Sequence, residues 1–319
     1  MRAILPIEQT MFLLVPAIAA CAVVGWWAGG RPFLAVAWVA FAVVLASQSS
    51  TGAGIFGNLQ RGWSLLLAGA FGLVCLFGVR RPFFARALVA LTIALVLVLA
   101  MTAFGPVTGT ALRGAVGSEI SQRNAETMTT LNSFIEQHPD QWNQLTGKIP
   151  ALATLPAETE KQLSAIGGSG VGLYPSILAL ESLMALALAW TTYHRLGRAR
   201  LGPPLAPLRD FRFNDQLVWG LIVGLTIVFV PTLSAFGGVG RNLLVFFGAL
   251  YAVRGLGVLS WFLAPGALAV SAVVGFAMLW APVLNAVAAA GFTLLALAAF
   301  GLGLGDTWAD WRSRARSTL

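Results

Sequence analysis

Apolar residues run in long blocks along this chain, and polar ones gather between them. Nine blocks are long enough to cross a bilayer, at roughly 17–25 residues per crossing. They fall at about 10–29, 33–48, 63–79, 84–104, 174–194, 216–236, 242–263, 266–281 and 283–304. The second and eighth are the shortest. Only Ala281-Pro282 separates the last two, so the alternative there is one long kinked helix. Arg2 and the small residues Ala19, Ala20 and Ala22 raise the thought of a cleaved signal. Glu8 in the supposed basic region and Trp26-Trp27 at its end favour a retained membrane helix. Other tryptophans also mark span ends: Trp63, Trp190, Trp219, Trp261 and Trp280. No internal repeat stands out.

Composition agrees with the pattern. The 319 residues are 58% hydrophobic and only 10% charged, against about 25% charged for a soluble domain. The net charge of +8 would suggest nucleic acid in a soluble protein. Here the basic residues flank apolar blocks, so they read as topology and lipid-headgroup signals, and no nucleic-acid partner is expected. Cys21 and Cys75 lie inside apolar runs and read as small hydrophobes.

Orientation follows from the arginines. With nine crossings, Arg31, the clusters Arg80/Arg81/Arg86 and Arg195/Arg198/Arg200/Arg209/Arg212, and Arg312/Arg314/Arg316 share one face. The short connections opposite hold only Arg2, Arg61 and Arg241. The positive-inside rule puts the N-terminus outside and the C-terminus in the cytoplasm. The expected fold is therefore all-α: a polytopic membrane helix bundle of about nine transmembrane helices with a small helical extracytoplasmic insertion. The expected segments are 1–104 (four spans), 105–172 (the cap), 173–304 (five spans) and a basic tail at 305–319.

Two amphipathic helices are expected in the cap. The first runs from Ser118, as cap, to about His138, with Met128, Leu131 and Ile135 on one face and Pro139 ending it. The second starts near Pro156, buries Leu163 and Ile166, and stops at Gly167-Gly168. The cap reads as a lid or as a spacer. The connection 195–213 is rich in arginine, and its prolines forbid a continuous helix. It reads either as an anchor on anionic lipid or as a docking surface, Arg195–Phe213, for a protein partner.

Catalytic constellations are missing: no Walker sequence, no His-Glu-x-x-His, no Cys-x-x-Cys, and only two histidines. An enzyme is not expected, nor a cofactor or metal. Asp210 and Asp215 read as a solvated helix entry. Of the 32 charged residues (20 basic and 12 acidic), only Glu181 and Arg254 fall inside apolar blocks, with Arg86, at the very start of the fourth, counted with its connection. A lone arginine at the bilayer centre costs roughly 2.5–3.5 kcal/mol on insertion scales. Such groups pair, face a cavity or serve a function. The expectation is a Glu181–Arg254 pair, either structural or lining an outward pocket for a polar small molecule. Tyr174, Asn242 and Tyr251 are further candidates, with Asn242 equally explained as a helix cap. Gly220 and Gly224 form a G-x-x-x-G for close helix packing.

Several segments together resemble a known family: Leu173-Tyr174-Pro175, Leu208-Arg209-Asp210-Phe211-Arg212-Phe213, Arg241-Asn242-Leu243-Leu244, and Tyr251-Ala252-Val253-Arg254-Gly255-Leu256. Residues 170–263 look like the YybS-like family of predicted bacterial membrane proteins, itself distantly similar to the substrate-binding components of energy-coupling-factor transporters. The resemblance implies a helical bundle with an outward small-molecule site in a bacterial plasma membrane. Small-residue pairs of the kind such components use for docking occur at Ala42/Ala46 and Ala90/Ala94. The leading reading is binding or transport of a small polar metabolite. The rival is a non-transporting scaffold or assembly protein.

Overall fold

The computed structural model describes residues 7–48, 54–77, 81–105, 108–197, 199, 201–263, 270, 273–274 and 285–309. Among these residues every regular element is a helix. In chain order they are α1 (Ile7–Trp27), α2 (Pro32–Gln48), α3 (Ile55–Phe77), α4 (Phe83–Phe104), α5 (Gly109–Gln137), α6 (Pro139–Lys148), α7 (Leu155–Leu196), α8 (Val218–Phe229), α9 (Gly237–Phe262) and α10 (Asn285–Ala309). Short 3-10 turns at Pro150–Thr154, Leu208–Asp210, Asp215–Leu217 and Pro231–Phe236 join several of them.

Five helical stretches are long and apolar enough to cross a membrane: Ile55–Phe77, Phe83–Phe104, Gly167–Leu196, Pro231–Phe262 and Gly291–Ala309. Met11–Trp27, Pro32–Ser47 and Asp215–Phe229 are apolar but shorter. The sixth expected span, 216–236, is interrupted. Its α-helix holds 12 residues, about 18 Å at 1.5 Å per residue, and a hydrocarbon core is about 30 Å thick. Pro231 explains the stop, because the residue before a proline is pushed out of the helical region, and Val230 is extended there. The eighth expected span, 266–281, lies almost wholly outside the described residues.

The 105–172 segment differs from expectation at the start of its first helix and at the end of its second. α5 begins nine residues before Ser118, capped by Thr108, whose hydroxyl accepts the Ala111 N–H at 3.2 Å. Ser118 is an interior residue whose hydroxyl donates to the Ala115 carbonyl at 3.0 Å. The expected apolar face is present, with Met128, Leu131 and Ile135 half-buried. Gly167-Gly168 does not stop the second helix, and α7 runs for 42 residues through both glycines and through Pro175. The glycines mark a close approach instead. A Cβ at Gly167 would sit 3.4 Å from Asn124 Nδ2, and Val171 lies 3.7 Å from the Cβ position of Gly117. Packing of α7 against α5 there offsets the roughly 1 kcal/mol that a mid-helix glycine costs.

The chain forms two compact units. One comprises 1–125 and 167–205, the other 126–166 and 206–319. Both are assembled from distant segments of the chain. In the first unit α1 packs on α2 and α3, and α3 on α4. One face of α4, Phe83, Arg86, Ala87, Ala90, Leu91 and Ala94, is buried, as the i, i+3, i+4, i+7 spacing requires. Ala90 and Ala94 are therefore internal packing rather than a docking stripe. Phe71, Phe83 and Trp190 meet with ring centroids 5.6–6.1 Å apart.

In the second unit α8 packs on α9. The G-x-x-x-G residues do this work: a Cβ at Gly220 would strike the Phe247 ring, and one at Gly224 would lie 3.1 Å from Leu244. Gly240 answers from α9, its Cβ position 3.0 Å from the Gly224 carbonyl. These pairs run in opposite senses along the two helices, so α8 and α9 form an antiparallel hairpin. α9 also packs on α10, and there the approach is backbone to backbone. A Cβ on Gly255 would collide with the Ala299 carbonyl, and one on Gly303 with the Tyr251 carbonyl.

Candidate functional site

The Gly255–Gly303 contact places a charge cluster. On α9, Tyr251, Arg254, Gly255 and Val258 share one buried face. On α10, Ala299, Gly303 and Asp306 fall on one face at i, i+4, i+7, with Ala299 and Asp306 buried. With the backbones touching, Arg254 meets Asp306: Nε donates to Oδ2 at 3.0 Å, and Nη2 donates to the backbone carbonyl of the same residue at 3.3 Å. A second carboxylate arrives from the turn before α8, where Nη1 donates to Asp215 Oδ1 at 2.6 Å. Asn214 fixes that turn, its side-chain oxygen accepting the Gln216 N–H at 3.0 Å. Phe213 covers the guanidinium at 5.3 Å and packs edge-on against Tyr251 at 5.0 Å.

Asp215 is thus more than a solvated helix entry, and Asp306, expected to open the basic tail, is buried within the apolar helical stretch Gly291–Ala309. Arg254 finds both these carboxylates within its own unit, while the expected partner, Glu181, belongs to the other. The cluster also lies at the end of α9 that meets the connecting segment. Trp261 Nε1 donates to the Arg209 carbonyl at 2.9 Å, and the Arg209 guanidinium sits 5.7 Å from the Trp261 ring centre.

The first unit holds a second buried guanidinium, at a position expected to be a surface topology signal. Arg86 is fully buried in α4. Its Nη1 donates to the Leu201 carbonyl at 2.6 Å, and the guanidinium lies 5.1 Å from the Trp190 ring centre. Neighbouring side chains hold the same loop. Trp190 Nε1 donates to the Pro203 carbonyl at 3.2 Å, and the Tyr193 hydroxyl to the Ala199 carbonyl at 3.1 Å. One ring nitrogen of His194 faces the Gly202 carbonyl at 3.2 Å. Gly202 has φ +146°, and a Cβ there would meet the Arg86 guanidinium. A bare arginine-rich loop becomes a folded strap over the end of the bundle.

The remaining candidates are scattered. Glu181 is buried on α7 beside Ser182, whose hydroxyl accepts the Trp63 indole N–H at 2.9 Å. Tyr174 is half-buried, edge-on to Phe56 at 6.0 Å, in a cluster with Ala115 and Val116. Asn242 is no cap: it sits inside α9 and donates back to the Gly238 carbonyl at 2.8 Å. Of the five candidates, Tyr251 and Arg254 share one buried face of α9. Asn242 lies nine residues earlier, about half a turn around the helix at 3.6 residues per turn.

No curated protein and no solved structure matches the chain. Residues 33–295 match the family described as "Predicted membrane protein (DUF2232)". That match covers most of the chain, and the apolar helices agree with it: this protein belongs to the DUF2232 family of predicted membrane proteins.

Proposed function

We propose that the protein binds or passes a small polar metabolite across a bacterial plasma membrane, with Arg254 as the polar anchor. It performs no chemistry and needs no cofactor. The observation that carries this reading is the Asp306–Arg254–Asp215 cluster, an ionised network among apolar helices with its outermost carboxylate 59% exposed. Ionisable groups inside membrane helices are rare and mark ligand or ion paths. Arg254 meets Asp215 on the turn that follows the connecting segment, so access runs from that side. The arginines gathered in that segment make that side cytoplasmic by the positive-inside rule. The resemblance of residues 170–263 to YybS-like proteins, and through them to energy-coupling-factor binding components, supports the binding of a small molecule but implies an outward site, not one reached from this side. Native mass spectrometry of detergent-purified protein should find a retained small molecule that Arg254→Met abolishes. Bare protein in both cases would overturn the proposal. A reporter fused at Ser169 that works only in the cytoplasm would overturn the topology.

A second reading, a scaffold that binds other proteins, is favoured by the outer side of the connection. Leu205, Leu208, Arg209 and Arg212 stand exposed there. A specific membrane or cytoplasmic partner captured through Arg195–Phe213, and lost on replacing Leu208 and Arg212, would support it.

A further inference from the structure

Arg254 has two counterions of opposite character. Asp306 is wholly enclosed, its side chain 0% exposed, and the touching backbones of α9 and α10 hold it in place. Asp215 is 59% exposed and rides on a short turn that leads into α8. The inner acid is a built-in counterion, whereas the outer one can leave with a local movement of its turn. Behind its carboxylate the guanidinium is walled by Phe213, which rests on Tyr251.

We infer that Asp215 occupies, in cis, a carboxylate-binding site, and that the ligand of Arg254 is a small monocarboxylate that takes its place. This rests on the reading of Arg254 as a ligand anchor. The charges select the class. With Asp215 swung away, Arg254 (+1) and Asp306 (−1) sum to zero. One incoming carboxylate then restores the charge that Asp215 supplied. A phosphate dianion would overshoot it beside a buried acid, and an amine would face a guanidinium. A guanidinium N–H to a carboxylate is a charge-assisted hydrogen bond of the stronger kind, and the aromatic wall keeps water from competing on one side.

The test uses Asp215→Gly, which removes the internal carboxylate and leaves room for another. The full-length variant in detergent should melt below the unaltered protein. Sodium acetate should raise its midpoint saturably, as a ligand that binds only the folded state must. Sodium chloride or phosphate at equal ionic strength should not. The unaltered protein, in which Asp215 competes for the site, should respond only at much higher acetate, and adding Arg254→Met to the variant should erase the response. Asp215→Ala serves as the second variant if the glycine form does not fold. Acetate that leaves the variant where chloride leaves it, or that shifts both proteins equally, overturns the site. The probe is acetate, so failure to find a co-purifying metabolite would count against the transport reading and leave this result to stand or fall separately.

Discussion

Arg254 grips Asp306 twice, through the carboxylate at 3.0 Å and through the backbone carbonyl at 3.3 Å, across a helix contact where no side chain intervenes. The glycines make the grip possible, and the grip in turn compensates a charge that lipid would otherwise penalise. Asp306→Ala should leave Arg254 short of its enclosed counterion and cost about 3–5 kcal/mol. Replacing both, as Arg254→Met with Asp306→Leu, should recover most of that loss, since apolar packing in place of a buried pair is often neutral. Thermal melts of the single and double variants in detergent decide. A double variant as weak as Asp306→Ala would mean that the pair does something packing cannot replace.

Two glycines, one in each unit, should respond in opposite directions. Gly303→Leu drives a side chain into the Tyr251 carbonyl, and overpacking of this kind costs roughly 1–3 kcal/mol or more. Gly114 in α5 has nothing within 4 Å of its Cβ position. Gly114→Ala should therefore gain about 0.5–1 kcal/mol from helix propensity alone. Equal effects in a melting comparison would contradict the packing described for α9 and α10.

Arg86→Lys should loosen the strap. A lysine cannot both donate to the Leu201 carbonyl and lie flat on Trp190, because it lacks the planar fork. Limited trypsin digestion should then cut within residues 195–212 faster than in the unaltered protein. An unchanged digestion rate would show that the other three side chains hold the segment without Arg86.

Gly202→Ala tests the same loop from the backbone side. Its φ of +146° lies where L residues are strained, and the new methyl would press on the Arg86 guanidinium. Strain of this type costs of order 1–3 kcal/mol, so a lowered melting temperature is expected. Gly29 has φ +88° but open space around its Cβ position. Gly29→Ala should show the backbone part of the penalty without the collision.

The apolar pattern made the helical class legible, and the proline before Asp140 ended α5 where expected. Helix ends inside the polar insertion were less legible, because Gly167-Gly168 can mark either a stop or a contact. Only the neighbouring α5 decides between the two. At the site, flanking apolar residues in sequence are the signal for a charge within a span. That rule finds Arg254 and Glu181 but misses Arg86, six residues past Arg80, and Asp306, among Gly301, Gly303 and Gly305. A helical-face reading would have found both. Arg86 shares its face with Ala90 and Ala94, and Asp306 shares one with Ala299 and Gly303. Partner choice was beyond the pattern, since Asp215 reaches Arg254 across 39 positions of chain.

The captured stretch from Ala199 to Pro203 has a practical consequence for anyone engineering this protein. It lies in an arginine-rich junction between two apolar blocks, a place where an epitope, fluorophore or fusion partner would ordinarily be inserted. Four side chains from α4 and α7 already spend their donors or ring nitrogens on its carbonyls. Lengthening it would unfasten all of them at once, and the harmless insertion point is elsewhere.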